Sequence, residues 1–340
     1  MPAPHPEHNV AISMLGQIEL ELVRLLDSLQ KNPKGPIYHY TNARGLEGIL
    51  KSRSLYASHW MYLNDHREFI HGLELAKQIA EELADDLVAR NLAEHIRITI
   101  ENASKSEILD PTSAEASESH LFLSCFCEKG DLLSQWRAYG QQGEGYAIGL
   151  RPLNPESPTQ AEKYRKPEIY LRKVIYDSRE KRRLMKELIE IFLKNAIEYL
   201  TSLEVRIEAE NTWFSTQKLR PQNYTAMISS SYRSKMFRGL LRASLILSAC
   251  FKDSGFEEEQ EWRLFFFENK AEICIRESNN NLLPYVTVPF DSEGNKPFEL
   301  QSIVYGPRLD PKLAAFSLDR LLHKNGLKNV EIQASKIPFR

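Results

Sequence analysis

Cysteine is scarce in this chain: Cys125, Cys127, Cys250 and Cys274 are the only four in 340 residues. They are too few and too scattered for a disulfide framework, which fits a reducing cytoplasm. They also lack zinc spacing, because Cys125-Phe126-Cys127 lies in an apolar run, Leu121 to Cys127, with no second Cys or His pair beside it. The first residues, Met-Pro-Ala-Pro-His-Pro-Glu-His, have no charged region leading into an apolar one, so a signal peptide is not expected. The longest apolar stretch, Leu240 to Phe251, is short and carries Arg242; it reads as a core helix, and no membrane partner is expected. Glycine numbers only 15, and Gly140-Gln141-Gln142-Gly143-Glu144-Gly145 lacks the third-position glycine of a dinucleotide loop and precedes a strand. A net charge of -2 argues against general coating of nucleic acid. No local Ser/His/Asp or Cys/His signature is present.

What the chain does have is ample apolar material, 42% of its residues, and an uneven charge distribution. Asn64 to Ser119 holds 13 Asp/Glu against 5 Lys/Arg, whereas Glu162 to Arg183 holds 9 Lys/Arg against 4 Asp/Glu. The second run is either a phosphate-holding face or a set of solvated helix flanks. Val10 to Gln30 has helical apolar spacing and ends at Pro33-Lys34-Gly35-Pro36, so residues 1–35 read as a leading helix and linker. Strand signals at Ile37–Thr41, Leu55–Ser58, Leu121–Cys127, Gly145–Leu150, Ile169–Tyr176, Glu261–Glu268, Ala271–Arg276, Tyr285–Phe290, Ser302–Tyr305 and Val330–Gln333 alternate irregularly with helices. The reading is one α+β domain over 36–340, with helical insertions at about 65–118 and 178–251.

Four clusters could carry chemistry. Tyr38-His39-Tyr40-Thr41 puts a histidine at a strand exit before a helix, and Ser58-His59-Trp60-Met61-Tyr62-Leu63-Asn64-Asp65 joins aromatics to an Asn-Asp pair that would equally serve as an N-cap. Ser134-Gln135-Trp136-Arg137-Ala138-Tyr139-Gly140 suits helix packing or stacking on a base. The fourth is Phe256-Glu257-Glu258-Glu259-Gln260-Glu261-Trp262-Arg263, an acidic run driven into an apolar strand. In an extended chain Glu259 and Glu261 would lie side by side about 7 Å apart, repelling by about 2.4 kcal/mol at an effective dielectric of 20 and pushing one pKa upward. The plainer reading is a solvated acidic turn neutralised by Arg263.

The order of these clusters, with Ser124-Cys125-Phe126-Cys127 and Gly145-Tyr146-Ala147-Ile148-Gly149 between them, resembles the bacterial domain-of-unknown-function 2971 family over about Ile37 to Pro307. A weaker similarity links Tyr38-His39-Tyr40-Thr41, Gly48-Ile49-Leu50-Lys51-Ser52-Arg53-Ser54-Leu55 and Glu259-x-Glu261 to ADP-ribosyltransferases. That second likeness implies a mixed or antiparallel split-sheet core and NAD as substrate. Glu261 would be the catalytic acid on the nicotinamide ribose and Glu259 the group that orients or deprotonates a protein or nucleic-acid acceptor. His39, Tyr40, Thr41, Ser58, Asn64, Trp136, Arg137 and Tyr146 would line the cofactor side. Tyr40 departs from that superfamily's pattern, standing where glycine is usual after the histidine. The family likeness implies a role in stress or phage defence. The competing readings are a non-catalytic nucleotide- or nucleic-acid-binding module and, third, a Mg²⁺ nuclease using the same carboxylates.

Overall fold

The computed structural model describes residues 20–29, 32–63, 66–83, 90, 93–94, 97–98, 120–153, 170–211, 230–267, 273–278, 281–292 and 296–339. Asn64, the acidic residues 101–119 and the basic residues 163–166 lie outside them. The chain divides into two compact units: Met1–Ser28, Arg67–Ser119 and Asp177–Phe251 form one, and Leu29–His66, His120–Tyr176 and Lys252–Arg340 form the other.

The described residues of the first unit are mostly helical. Residues 20–28, His66–Glu82, Ser178–Asn211 and Ser230–Ser248 are its helices. Phe69, Leu73, Ala76 and Ala80 recur at three- and four-residue intervals and are all buried, as are Leu184, Leu188 and Phe192. A Cβ on Gly72 would stand 2.1 Å from the Ser248 hydroxyl, so glycine is what lets these two helices approach.

The second unit carries a ten-stranded sheet: β1 (Ile37–Thr41), β2 (Ser54–His59), β3 (Leu121–Cys127), β4 (Tyr146–Pro152), β5 (Tyr170–Lys173), β6 (Glu261–Phe267), β7 (Cys274–Ser278), β8 (Asn281–Asp291), β9 (Phe298–Tyr305) and β10 (Glu331–Ala334). The order is β1-β4-β9-β8-β2-β3-β6-β5, with β7 beside β8 and β10 beside β9; only β8–β9 and β9–β10 are parallel. A bridge between Tyr38 and Cys127 links β1 to β3, so the path β1-β4-β9-β8-β2-β3 returns to its start. One edge of β3 pairs with β6 along its whole length. The other is shared between β2, at Leu123 and Phe122, and β1, at Cys127. This shared edge is the split in the sheet.

Strand alternation separates two faces. Ile37, Leu55, Ala57, Phe122, Phe126, Ile148, Leu150, Val288 and Ile303 point into one apolar core, each worth roughly 1.5–3 kcal/mol for the larger side chains. Two helices cap it. Ala43–Ser52 brings Leu46, Ile49 and Leu50, its N-terminus held by Asn42 Oδ1 accepting from Gly45 N–H at 2.8 Å. Pro311–Lys324 brings Ala314, Leu318 and Leu322, with Asp310 Oδ1 accepting from the amides of Lys312 and Leu313. The opposite face carries Tyr38, Tyr40, Cys127, Leu123, Cys125 and, by register, Glu261, Arg263, Ser58 and Tyr285.

Sequence and structure differ at several boundaries. The strand expected over Ile169–Tyr176 stops at Lys173, because Val174 N–H turns to the Glu261 carbonyl and Ile175 accepts from Lys252 N–H. The strand expected from Tyr285 begins at Asn281 although Pro284 interrupts it. Pro284 pairs toward β7, and β8 meets β2 from Tyr285 onward, so the missing N–H takes no bond from the β2 ladder. Within the helical insertion expected at about 178–251, helices are described over Ser178–Asn211 and Ser230–Ser248.

Candidate functional site

The acidic run does not form the extended pair its sequence suggests. Ser254–Glu259 is a 3-10 turn, opened by Asp253 capping Gly255 N–H and closed by Gln260 in the left-handed region at φ 44°. Glu259 therefore ends the turn while Glu261 opens β6. Both carboxylates converge on one cation, since Lys252 Nζ donates to Glu259 Oε2 and to Glu261 Oε2, each at 2.8 Å. Arg263 Nε donates to Glu261 Oε1 at 2.8 Å, and a second Arg263 nitrogen reaches Oε2 at 3.3 Å. The Glu261 amide donates to the Tyr176 hydroxyl at 2.9 Å. Lys252, Glu261 and Arg263 are 2%, 4% and 1% exposed, so this is an ion network held out of water.

The electrostatics reverse the sequence expectation that one carboxyl would be pushed up. Burial alone would raise Glu261, but Arg263 and Lys252 overcome it and hold the carboxyl down at about 2. Burial alone would lower Lys252, but Glu261 and Glu259 carry its ammonium well above the ordinary lysine range. Two cations compensating two anions make the carboxylate repulsion irrelevant. Glu257 and Glu258 behave as the plainer reading has it: exposed turn residues, with Glu258 accepting from Ser134 Oγ.

Cys125 joins this network to β1. Its thiol is hydrogen-bonded to the Glu261 carboxylate, and burial followed by that carboxylate drives the thiol pKa far up, so it is no nucleophile. Cys127 is likewise raised, to about 11, by burial. The Cys125 carbonyl accepts from His39 Nδ1 at 3.1 Å across the split. A carbonyl can only accept, so Nδ1 carries the proton and Nε2 is left as an acceptor. Burial, with help from nearby Arg276, lowers the His39 pKa and keeps the imidazole neutral. His39 lies opposite Ile148 on the core side, whereas Glu261 lies on the other face. The two meet only through Cys125.

The other expected site residues are dispersed along this unit. Tyr40 is buried; its hydroxyl donates to the Lys129 carbonyl at 2.8 Å and accepts from Leu132 N–H, and its ring meets Trp136 edge-on at 4.9 Å. Trp136 is wholly buried and its indole N–H donates to Asp131 at 2.7 Å. Asp131 also accepts from Ser335 Oγ and Lys336 N–H, so this cluster anchors the segment Ser335–Phe339. Arg137 is exposed with its guanidinium 5.9 Å from the Phe339 ring. Thr41 and Tyr146 are cross-strand neighbours at the end of β1. Ser58 is buried on β2 and accepts from Arg276 at 3.1 Å. Asn64 lies outside the described residues.

Lys252 and Tyr176 are the participants that sequence reasoning missed. Nine residues separate Lys252 from Glu261, and a buried lysine directly after the apolar stretch Leu240–Phe251 was the available signal.

The geometry defines an α+β protein with a buried acid-base network against a split sheet. The family model described as "Protein of unknown function (DUF2971)" matches residues 135–264, a span that includes β4, β5 and Glu259–Arg263 but neither His39 nor Ser58. That match supports the likeness to this family. No curated protein and no solved structure matches the chain.

Proposed function

We propose that the chain is an ADP-ribosyltransferase-like enzyme that uses NAD as substrate, with Glu261 as its catalytic acid, in stress or phage defence. The observation that carries this reading is the convergence of His39 and Glu261 on Cys125, from the carbonyl and the thiol side, at the split in the sheet. A carboxylate held down at about 2 stays ionised at neutral pH, as stabilisation of an oxocarbenium-like transition state requires. Both of its oxygens are engaged by Lys252 and Arg263, so admitting a ribose hydroxyl means one cation releases its oxygen. Glu259, at 14% side-chain exposure, is the more accessible acid and would face the protein or nucleic-acid acceptor.

The burial of Glu261 favours a second reading, a nucleotide-binding module in which the ion network only braces the sheet. The nuclease reading has no comparable support: among the described residues no three His, Cys, Asp or Glu side chains gather as metal ligands. Incubation with nicotinamide-labelled NAD distinguishes the first two. Nicotinamide release that is lost in Glu261→Gln, with secondary structure intact by circular dichroism, supports the enzyme. Nucleotide binding without turnover in either protein supports the module.

A further inference from the structure

A second cationic centre lies on the same sheet face as Glu261. Tyr56 and Ser58 are two residues apart on β2, Tyr285 is opposite Ser58, Cys274 is opposite Tyr285, and Arg276 is two residues beyond Cys274 on β7. Alternation puts all five side chains on one face. The Arg276 guanidinium lies 5.5 Å from the Tyr56 ring and 6.0 Å from the Tyr285 ring, which are themselves 4.2 Å apart. It donates one hydrogen bond, to Ser58 Oγ at 3.1 Å, and its buried Nε has no partner among the described residues. No described carboxylate pairs with it. This contrasts with Arg263, which is matched by Glu261, and with Lys173, which is matched by Glu128.

An arginine offers five N–H donors in a fixed fork, and a half-buried, unneutralised one is costly unless a ligand completes it. Two tyrosine rings lie beside this guanidinium and Ser58 holds one of its nitrogens, while other donors of the fork are left for an oxyanion. We propose that Arg276, with Ser58, Tyr56 and Tyr285, forms a subsite for the phosphoryl group of a small phosphate ester, a nucleotide diphosphate being the fitting class. A carboxylate would satisfy charge, but a diphosphate supplies enough oxygens to engage both the fork and the serine hydroxyl. The subsite does not depend on any transfer chemistry. Its Ser58 stands two strands across from Arg263, and its Arg276 four, since β7 pairs with β8, β8 with β2, β2 with β3 and β3 with β6.

Calorimetric titration of the full chain with inorganic pyrophosphate and with ADP tests this, alongside Arg276→Gln, Arg276→Lys and Ser58→Ala. Native protein is expected to bind pyrophosphate with an affinity that falls as salt rises, and Arg276→Gln to bind about ten- to a hundredfold more weakly. Arg276→Lys keeps the charge but loses the fork, so an intermediate affinity is expected. Tighter binding of ADP than of pyrophosphate assigns the ligand as a nucleotide, whereas equal affinity narrows the subsite to the phosphoryl group alone. Absence of pyrophosphate and ADP binding at millimolar concentration overturns the proposal, as does unchanged affinity in Arg276→Gln. If Arg276→Gln fails to fold by circular dichroism, unchanged affinity in both Arg276→Lys and Ser58→Ala overturns it instead. Pyrophosphate binding with no nicotinamide release from any variant leaves this subsite in place and removes the transferase reading.

Discussion

Replacing Glu261 with glutamine removes an anion that touches both Lys252 and Arg263. The isostere keeps the shape and can still accept hydrogen bonds, so the perturbation is one of charge. In the folded chain the carboxyl titrates at about 2 against an ordinary 4.5, and at about 1.4 kcal/mol per decade that gap is worth roughly 3 kcal/mol. The folded pKa is the depressed one. Its stabilisation is therefore complete above about pH 4.5 and is lost as pH falls toward about 2. Removing the anion at the centre of a buried ion network costs a similar sum, about 3–5 kcal/mol, although Lys252 keeps its contact to Glu259. Urea unfolding followed by tryptophan fluorescence, at several pH values, should show Glu261→Gln less stable by about 3–5 kcal/mol near neutrality. The two proteins should converge as pH falls to about 2 and below, where native Glu261 itself takes up its proton. A stability difference that stays constant over that range would refute the assignment of Glu261 as the ionised centre of the network.

Further outcomes follow from other contacts. The His39 imidazole, desolvated and near Arg276, should titrate below its ordinary 6.5 in a histidine NMR pH series; its folded pKa is the lower, so the associated stability is present above 6.5 and falls as pH drops below it. Trp136→Phe removes the indole donor to Asp131 and part of a wholly buried ring, so a loss of about 1–3 kcal/mol is expected in thermal or urea unfolding. Gly306→Ala would place a Cβ 2.3 Å from the Gly143 carbonyl oxygen, a backbone atom that cannot swing away. A destabilisation of about 1–3 kcal/mol is expected there, read as a fall in melting temperature.

Legibility in the sequence tracked how local each signal was. Pro311–Lys324 announces itself through Asp310, a first-turn proline and a regular apolar stripe, and β3 through an apolar run broken only by Ser124. The α+β class followed from irregular alternation of such elements. Glu261 was legible as an acid misplaced in a strand, but its neighbours were not. Lys252 and Tyr176 reach it from chain segments with no spacing rule in common, and their convergence turned an expected repulsion into a compensated network. Gln260 in the left-handed region is what takes Glu259 off the strand, and nothing in the acidic run marks that single residue. Arg276, Tyr56 and Tyr285 come from three strands whose adjacency is fixed only by pairing register.

The interleaving of segments in the sheet-bearing unit bears on how the chain is made. β1 needs β4, β4 needs β9, and β9 is flanked by β10, which ends at Ala334. β1 thus leaves a ribosome well before β9 and β10, which its ring needs. At about 5–20 residues per second, Ile37–Thr41 waits on the order of 15–60 s for the rest of its ring. During that interval Tyr38, His39 and Tyr40 expose strand edges that a chaperone or a second nascent chain can capture. Slowed elongation late in the message would lengthen that exposure, and lower yield of native protein with no change in the stability of what does fold.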